Sequence, residues 1–299
     1  MDINFPYIGE TCAVTVAILW AFAVILFKKS GERVHPIALN IFKTLFAFVL
    51  MFFTMLILRV PFYRPVMARD YLILLVSGIL GIGVAETLFF KSLNMLGASL
   101  SAIAGCMYSP FVVGLSVMFL GENFSLLQIL GGVFIISAIV FIGLRKNIAN
   151  IAPRDLRIGI VLAILANAAI AVGIVIIKPL LSYTPLAWAI EVRLLGGIIG
   201  LAVIVAIYPQ RRIMVASLLK SGRWFYTVSS SFLGNYIALM LWVAGMKYTQ
   251  ASTASVLNQS SQIFIFIFAA IFLREKITWQ KLIGLIIGVS GLFLVVLGQ

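Results

Sequence analysis

Apolar residues dominate this chain in runs that are too long for a soluble core to use. Ten of them approach the roughly twenty residues that a helix needs to cross the hydrocarbon of a bilayer. They are Ile8 to Phe27, Ile37 to Leu58, Tyr71 to Phe90, Ser99 to Leu120, Leu126 to Leu144, Ile158 to Leu181, Pro185 to Ile207, Trp224 to Met246, Ala251 to Leu273 and Trp279 to Leu297. Inside lipid each unpaired backbone group costs several kcal/mol, and a helix satisfies its own groups within one segment. The pattern therefore predicts an all-α membrane protein of ten transmembrane helices. The polar stretches between the runs are too short to fold as separate domains.

The runs repeat. An offset of 153 residues aligns Ala98-Ser99 with Ala251-Ser252, Phe119-Leu120 with Phe272-Leu273, Glu122 with Glu275, Gly131 with Gly284 and Ser137 with Ser290. An offset of 149 brings Lys29 onto Lys178 and Pro36 onto Pro185. Two five-helix repeats follow, residues 1–147 and 148–299. Five is odd, so the second copy must lie upside down relative to the first. Inverted repeats around a central cavity are a recurrent plan of secondary transporters, because exchanging the conformations of the halves turns an outward opening into an inward one.

Composition agrees: 63% of residues are hydrophobic and 10% charged, with mean hydropathy +1.17. The net charge of +13 comes from Lys and Arg scattered through short connections, which form no continuous basic face, so no nucleic-acid partner is expected. Fifteen of these cations follow the first, third, fifth, seventh and ninth runs, while Arg59, Arg64, Arg69, Lys178 and Lys247 lie on the other side. The positive-inside rule then puts both termini outside the cytoplasm. No Lys or Arg precedes Lys28, and Ala21-Phe22-Ala23 sits within a continuing apolar run, so the first run reads as a spanning helix and not a cleaved signal. Cys12 and Cys106 lie far apart inside apolar runs, which reads as core packing without a disulfide framework or metal site. No cofactor is implied.

The run Gly121 to Gly131 (Gly-Glu-Asn-Phe-Ser-Leu-Leu-Gln-Ile-Leu-Gly) and the parallel run Arg274 to Gly284 (Arg-Glu-Lys-Ile-Thr-Trp-Gln-Lys-Leu-Ile-Gly) carry a family resemblance. Trp20 with Lys28, Pro36 before Lys43, Pro185 before Arg193 and Pro110 support it. The whole chain resembles the ten-helix branch of the drug/metabolite transporter superfamily, with two EamA-type repeats. The resemblance implies a basket of helices around a central cavity, with the fifth and tenth at the periphery, and an exporter of amino acids, metabolites or drugs. Lys43 stands where that family often has Arg, and the ninth run lacks a proline to match Pro110, offering Ile263 beside Gln262.

Ionisable side chains are costly inside a span and normally face an aqueous cavity or a partner. Lys43 on the second run and Glu86 on the third fall at similar depth, as candidates for an ion pair or proton-linked site. Lys178 and Glu191 flank Pro185 in the same way. Arg193 diverges from Glu191 by about 200° on a helix, so only one of the two can face a cavity. Arg193 or Lys43 could attract an anionic group on a solute, while Glu86 or Glu191 binds a proton or an amine. The same charges could instead lock helices together or snorkel to the interface. Glu122 and Glu275, at tight turns, read as helix caps.

The ninth run is unusually polar: Ser255, Asn258, Gln259 and Gln262 recur at spacings of three and four, one helical face. The fourth run offers Ser101, Tyr108 and Ser109 at related places. These stripes are the expected pocket wall, with Asn167, Asn235, Trp20, Phe89, Tyr236 and Trp242 as further candidates; interhelical hydrogen bonding is the competing account. Gly284-x-x-x-Gly288, Gly196-x-x-x-Gly200 and Gly131-Gly132 suit close helix packing, and Pro110 and Pro179 suit kinks.

The expected function is secondary active transport of a small metabolite, amino-acid-like or related, by proton-coupled export through alternating access. Uptake or obligatory exchange, for example of a sugar phosphate or nucleotide sugar, is the alternative within transport. An intramembrane enzyme acting on lipid is the alternative of another class. His35 is the single histidine, in a loop before Pro36, and no nucleophile with a base or paired-Asp motif appears, so no catalytic residues are assigned. Expected partners are a small-molecule substrate, the bilayer of a bacterial or archaeal cytoplasmic membrane and protons, in a monomer or homodimer.

Overall fold

The structure is a computed structural model and describes residues 7–121, 125–143 and 151–297. All regular elements among them are helical. The ten runs become α1 (Ile8–Gly31), α2 (Pro36–Ile57), α3 (Ala68–Leu96), α4 (Ala98–Leu120), α5 (Leu126–Gly143), α6 (Pro153–Val175), α7 (Leu186–Ile207), α8 (Trp224–Tyr248), α9 (251–272) and α10 (Trp279–Leu297). Eight are individually long and apolar enough to cross a membrane, and α5 and α10 form a shorter apolar pair. Two small helices, Lys178–Leu181 and Arg211–Leu219, occupy the connections after α6 and α7. This is an all-α membrane fold of two inverted five-helix repeats.

Local chemistry sets the ends. Pro36 opens α2 at a position where its missing N–H costs nothing, and His35 Nδ1 accepts from the Ile37 N–H at 3.3 Å. Gly97, with φ of 79°, takes the left-handed turn that separates α3 from α4.

The packing obeys a two-fold exchange of each helix with the one five places on. Helix α3 packs on α6 as α8 packs on α1; α4 packs on α6 as α9 packs on α1; α3 packs on α7 as α8 packs on α2. The self-related pairs α2 with α7, α4 with α9 and α5 with α10 also touch. Connections follow the same rule. On one face the α1–α2 turn meets the α7–α8 connection through Glu32 Oε2 and Arg223 Nη2 at 3.1 Å and through His35 Nε2 and Tyr208 OH at 3.1 Å. On the counterpart side the start of α7 meets the α2–α3 connection where Trp188 Nε1 donates to Phe62 O at 3.0 Å.

Helices α5 and α10 meet backbone to backbone at a pair of glycines. A side chain at Gly291 would stand 2.6 Å from Gly131 O, and one at Gly131 would strike Gly291 O in return. Gly284 lies against Ile142 and Gly288 against Cys106, whereas Gly132 faces open space. Gly196 and Gly200 bring α7 against the backbone of α3 at Leu75 and Ile79.

Four of the spans are not regular α-helices, and the irregularities come in matched pairs. Residues Ile79–Val84 of α3 and Ser231–Ile237 of α8 wind as π-helix, a form concentrated at functional sites. Helix α4 breaks at Cys106–Met107 and α9 at Gln259–Ser260, 153 residues on. In α4 the cause is Pro110, which has no N–H for the carbonyl of Cys106. Gln259 of the other repeat donates its Nε2 to Gly105 O at 2.9 Å and Cys106 O at 3.3 Å. Helix α9 breaks without a proline: its backbone tightens so that Gln262 N reaches Gln259 O at 3.0 Å and Ile263 N reaches Ser260 O at 3.1 Å.

Glu275, in the α9–α10 turn, caps α4. Its carboxylate accepts from Ala98 N at 2.7 Å, Ser99 N at 3.2 Å and the Ser99 hydroxyl, and Lys281 Nζ lies 3.4 Å away. Burial pulls the carboxyl upward, but the Ser99, Ala98 and Lys281 contacts outweigh it and hold it below its ordinary value. A carboxylate so depressed stabilises the fold above that ordinary value, and the contribution disappears as pH falls through the folded value. Glu275→Gln should cost about 1 to 2 kcal/mol near neutrality, and its melting temperature should converge on the wild type in acid. A gap that persisted in acid would mean that the carboxylate charge is not what caps the helix. Glu122, the matching glutamate, lies outside the described residues.

Candidate functional site

Helices α1, α3, α4, α6, α7, α8 and α9 enclose a cavity of about 130 Å³, well above the ~10–15 Å³ that one water requires. Helices α5 and α10 contribute nothing to its wall, and α2 stands behind it. The π segments shape the chamber. Gly81 and Gly234 face it from equivalent places, and a side chain at Gly81 would lie 3.2 Å from Arg193 Nη2. Glycine there lets the guanidinium rest on the backbone of α3.

The polar wall consists of Glu86, Ser101, Tyr108, Asn167, Arg193, Asn235, Asn258, Gln259, Ser261 and Gln262, and the aromatic wall of Trp20, Phe89 and Trp242. Of the residues expected there, the structure brings together Trp20, Tyr108, Arg193, Asn235, Asn258, Gln259 and Gln262 around one space. Ser109 is buried but lies off the cavity, because it follows Tyr108 by about 100° of helix. Ser255 is likewise buried away from the wall. Tyr236 turns to Thr54, with hydroxyls 2.6 Å apart.

Lys43 and Glu86 form an ion pair, with Lys43 behind the wall and 1% exposed. Lys43 Nζ also donates to Asn235 Oδ1 at 2.8 Å, and Asn235 Nδ2 donates to Lys43 O at 3.1 Å. Asn235 belongs to the second repeat, so this cluster ties the two repeats together. Asn40 was not singled out in the sequence, yet its Nδ2 donates to Ile82 O at 2.9 Å and Thr87 Oγ1 at 2.9 Å, serving the backbone at the α3 π segment.

Lys178 and Glu191 stand elsewhere. Lys178 Nζ donates to the carbonyls of Met246 and Thr249 at the end of α8. Lys28 does the same for α3, reaching Leu93 O and Asn94 O at 3.1 Å, so these lysines serve as C-terminal caps in the two repeats. Glu191 is off the cavity, with Oε2 buried and lacking a hydrogen-bond partner. Arg193, 200° around the helix, faces the chamber instead.

Arg193 is the most exceptional group present. It is 2% exposed, its Nε and Nη1 have no hydrogen-bond partner, and its guanidinium carbon lies 5.5 Å from the Trp242 ring centre. Tyr108 OH, Ser101 Oγ and Asn258 Oδ1, also on the wall, are equally unpartnered. Buried polar groups in folded proteins nearly always have partners. Four such groups converge on this one chamber.

With this geometry in view, comparison with known proteins is decisive. The pattern of the EamA-like transporter family matches residues 7–144 and again 157–297. The chain belongs to the EamA-like transporter family. An uncharacterized transporter of Archaeoglobus fulgidus is 25% identical over 295 residues, spanning 95% of this chain and 96% of the relative. One solved crystal structure, 16% identical, superposes with a TM-score of 0.70 over 97% of this chain and 96% of the other, a likeness of fold. As an EamA-like transporter the protein is a multi-pass membrane carrier for a small molecule.

Proposed function

We propose that this EamA-like transporter is a secondary active carrier that exports a small carboxylate-bearing metabolite, amino-acid-like or related, together with a proton. The setting is the cytoplasmic membrane of a bacterial or archaeal cell, with both termini outside, and the repeats 1–147 and 148–299 rock around the chamber by alternating access. The observation that carries this reading is the buried Arg193 guanidinium on the cavity wall, with two nitrogens unpartnered among the described residues. A carboxylate satisfies such a fork with charge-assisted bonds, Tyr108 OH and Ser101 Oγ can add to them, and Asn258 Oδ1 can accept an N–H or O–H of the solute.

Glu86 supplies the proton site. A proton there dissolves the ion pair with Lys43 and adds a positive charge beside the solute, so proton and anion favour one another's binding. By linkage the effect is reciprocal. The Lys43–Asn235 bonds across the repeats then lose their anchor on α3, which suits a step that reorients the halves. An accumulated acid can in this way leave down its own gradient.

Flux measurements in proteoliposomes test the reading. Transport should respond to a pH gradient without needing a solute on the opposite side. Glu86→Gln keeps an oxygen for Lys43 Nζ, so the protein should accumulate, while the dependence of flux on pH should flatten to less than about twofold. Unchanged pH dependence would retire Glu86, and strict dependence on a counter-solute would replace export with exchange.

A further inference from the structure

The two buried cations beside the chamber lie one residue apart in the register of the repeats and have different surroundings. Lys43 is seven residues beyond Pro36 on α2 and stands behind the wall, and Arg193 is eight residues beyond Pro185 on α7 and stands on it. Glu86 is the second residue after the π segment of α3, and Leu239 is the second after that of α8. The same offset of 153 residues carries Gly81 onto Gly234 and Phe89 onto Trp242, all facing the cavity. In the first repeat the cation has its carboxylate, an ion pair between Lys43 and Glu86. In the second, an isobutyl group stands where that carboxylate would be. Leu239 and Arg193 both line the chamber, so the place of the missing anion opens on the cavity.

No other group among the described residues makes good the deficit. Glu191 forms neither an ion pair nor a hydrogen bond with Arg193 among the described residues, and its Oε2 is unpartnered. Glu86 lies within electrostatic range of Arg193, but one carboxylate cannot neutralise two cations. Lys43, Glu86 and Arg193 together leave one positive charge uncompensated, and an uncompensated buried charge is costly. A guest with an ammonium group would need an anion of its own, and Glu86 is already held by Lys43.

We propose that position 239 sets the charge of the solute: leucine there reserves Arg193 for a solute carboxylate, and the solute is a monoanion with an apolar body instead of a zwitterion or an organic cation. The assignment rests on the carrier reading above and narrows it to carboxylates without an ammonium group, setting amino acids themselves aside. Trp20, Phe89 and Trp242 provide surfaces for the apolar body.

The test uses the full-length protein purified in detergent and three probes that share one ring and differ in charge: 3-phenylpropionate, phenylalanine and phenethylamine. Binding raises the melting temperature by mass action. 3-Phenylpropionate should shift it by several degrees, phenylalanine by less and phenethylamine not at all. In Leu239→Glu the new carboxylate occupies Arg193, so the shift with 3-phenylpropionate should vanish, and the unliganded protein should melt above Leu239→Gln. That gain should disappear when Arg193→Gln is added. A larger shift with phenylalanine or phenethylamine, or an undiminished shift with 3-phenylpropionate in Leu239→Glu, would overturn the proposal. If no probe shifts the wild type, the paired substitutions decide: coupling between 239 and 193 supports the assignment, and additivity overturns it. Should Leu239→Glu fail to accumulate, Arg193→Gln alone must abolish the shift with 3-phenylpropionate, and its retention overturns the assignment. Flux of the same probes separates the two readings. Binding of the anion without flux would end the carrier reading and leave the charge assignment intact, whereas flux of phenethylamine would do the reverse.

Discussion

Replacing Arg193 with Gln should lower transport of a carboxylate solute by about 100-fold, while raising the thermal stability of the empty protein. The two effects have one cause. In the empty carrier the guanidinium is buried with Nε and Nη1 unpartnered, and removing an unsatisfied buried charge relieves a desolvation cost. In the loaded carrier the same nitrogens meet a carboxylate, and hydrogen bonds to a charged group contribute about 1.5 to 3 kcal/mol, of which about 2.7 kcal/mol corresponds to 100-fold. Loss of function coupled to gain of stability is the signature of a group kept for binding. Initial rates in proteoliposomes and melting in detergent measure the two sides, and an Arg193→Gln protein that is both active and less stable would show that the side chain serves packing.

The second large effect concerns neighbours in sequence. Gly131→Leu should destabilise the protein by about 3 kcal/mol, because a side chain there runs into Gly291 O and Val295. Gly132→Leu should be nearly neutral, since nothing lies within 4 Å of a side chain at that position. Backbone on the far side cannot move aside as a flexible side chain could, so the α5–α10 contact would have to open. Melting temperature and monodispersity in detergent distinguish the pair, and equal tolerance at 131 and 132 would show that the contact is dispensable.

The hydrophobic pattern located all ten helices, because length and apolarity are what the bilayer imposes on each span. It also gave the polar face of α9 and the pairing of Lys43 with Glu86, since buried charge is too expensive to lack a partner. The π segments of α3 and α8 left no such trace: the sequence Ile79-Leu80-Gly81-Ile82-Gly83-Val84 is as apolar as an ordinary span, and one extra residue per turn does not disturb hydropathy. The break in α9 was equally hidden, as no proline marks it. Ser109 and Ser255 lie off the cavity, and periodicity alone does not separate them from Tyr108 and Asn258. Lys178 was expected at the depth of Glu191, but it binds carbonyls at the end of α8 instead, a contact that only the tertiary arrangement creates. Leu239 gave no signal at all, because its meaning lies in what its counterpart, Glu86, supplies.

The crossing of Gln259 onto the carbonyls of Gly105 and Cys106 bears on how the two repeats complete each other. Cys106 and Gln259 fall at the same place of the two repeats, 153 residues apart, and only one repeat has the nearby proline while the other holds the amide that answers it. Two identical first halves assembled as a dimer would expose the carbonyl on both sides with no donor, and two identical second halves would have donors with nothing to mend. The two repeats thus divide this labour between them, and the break in α4 is completed only by a side chain from the second repeat.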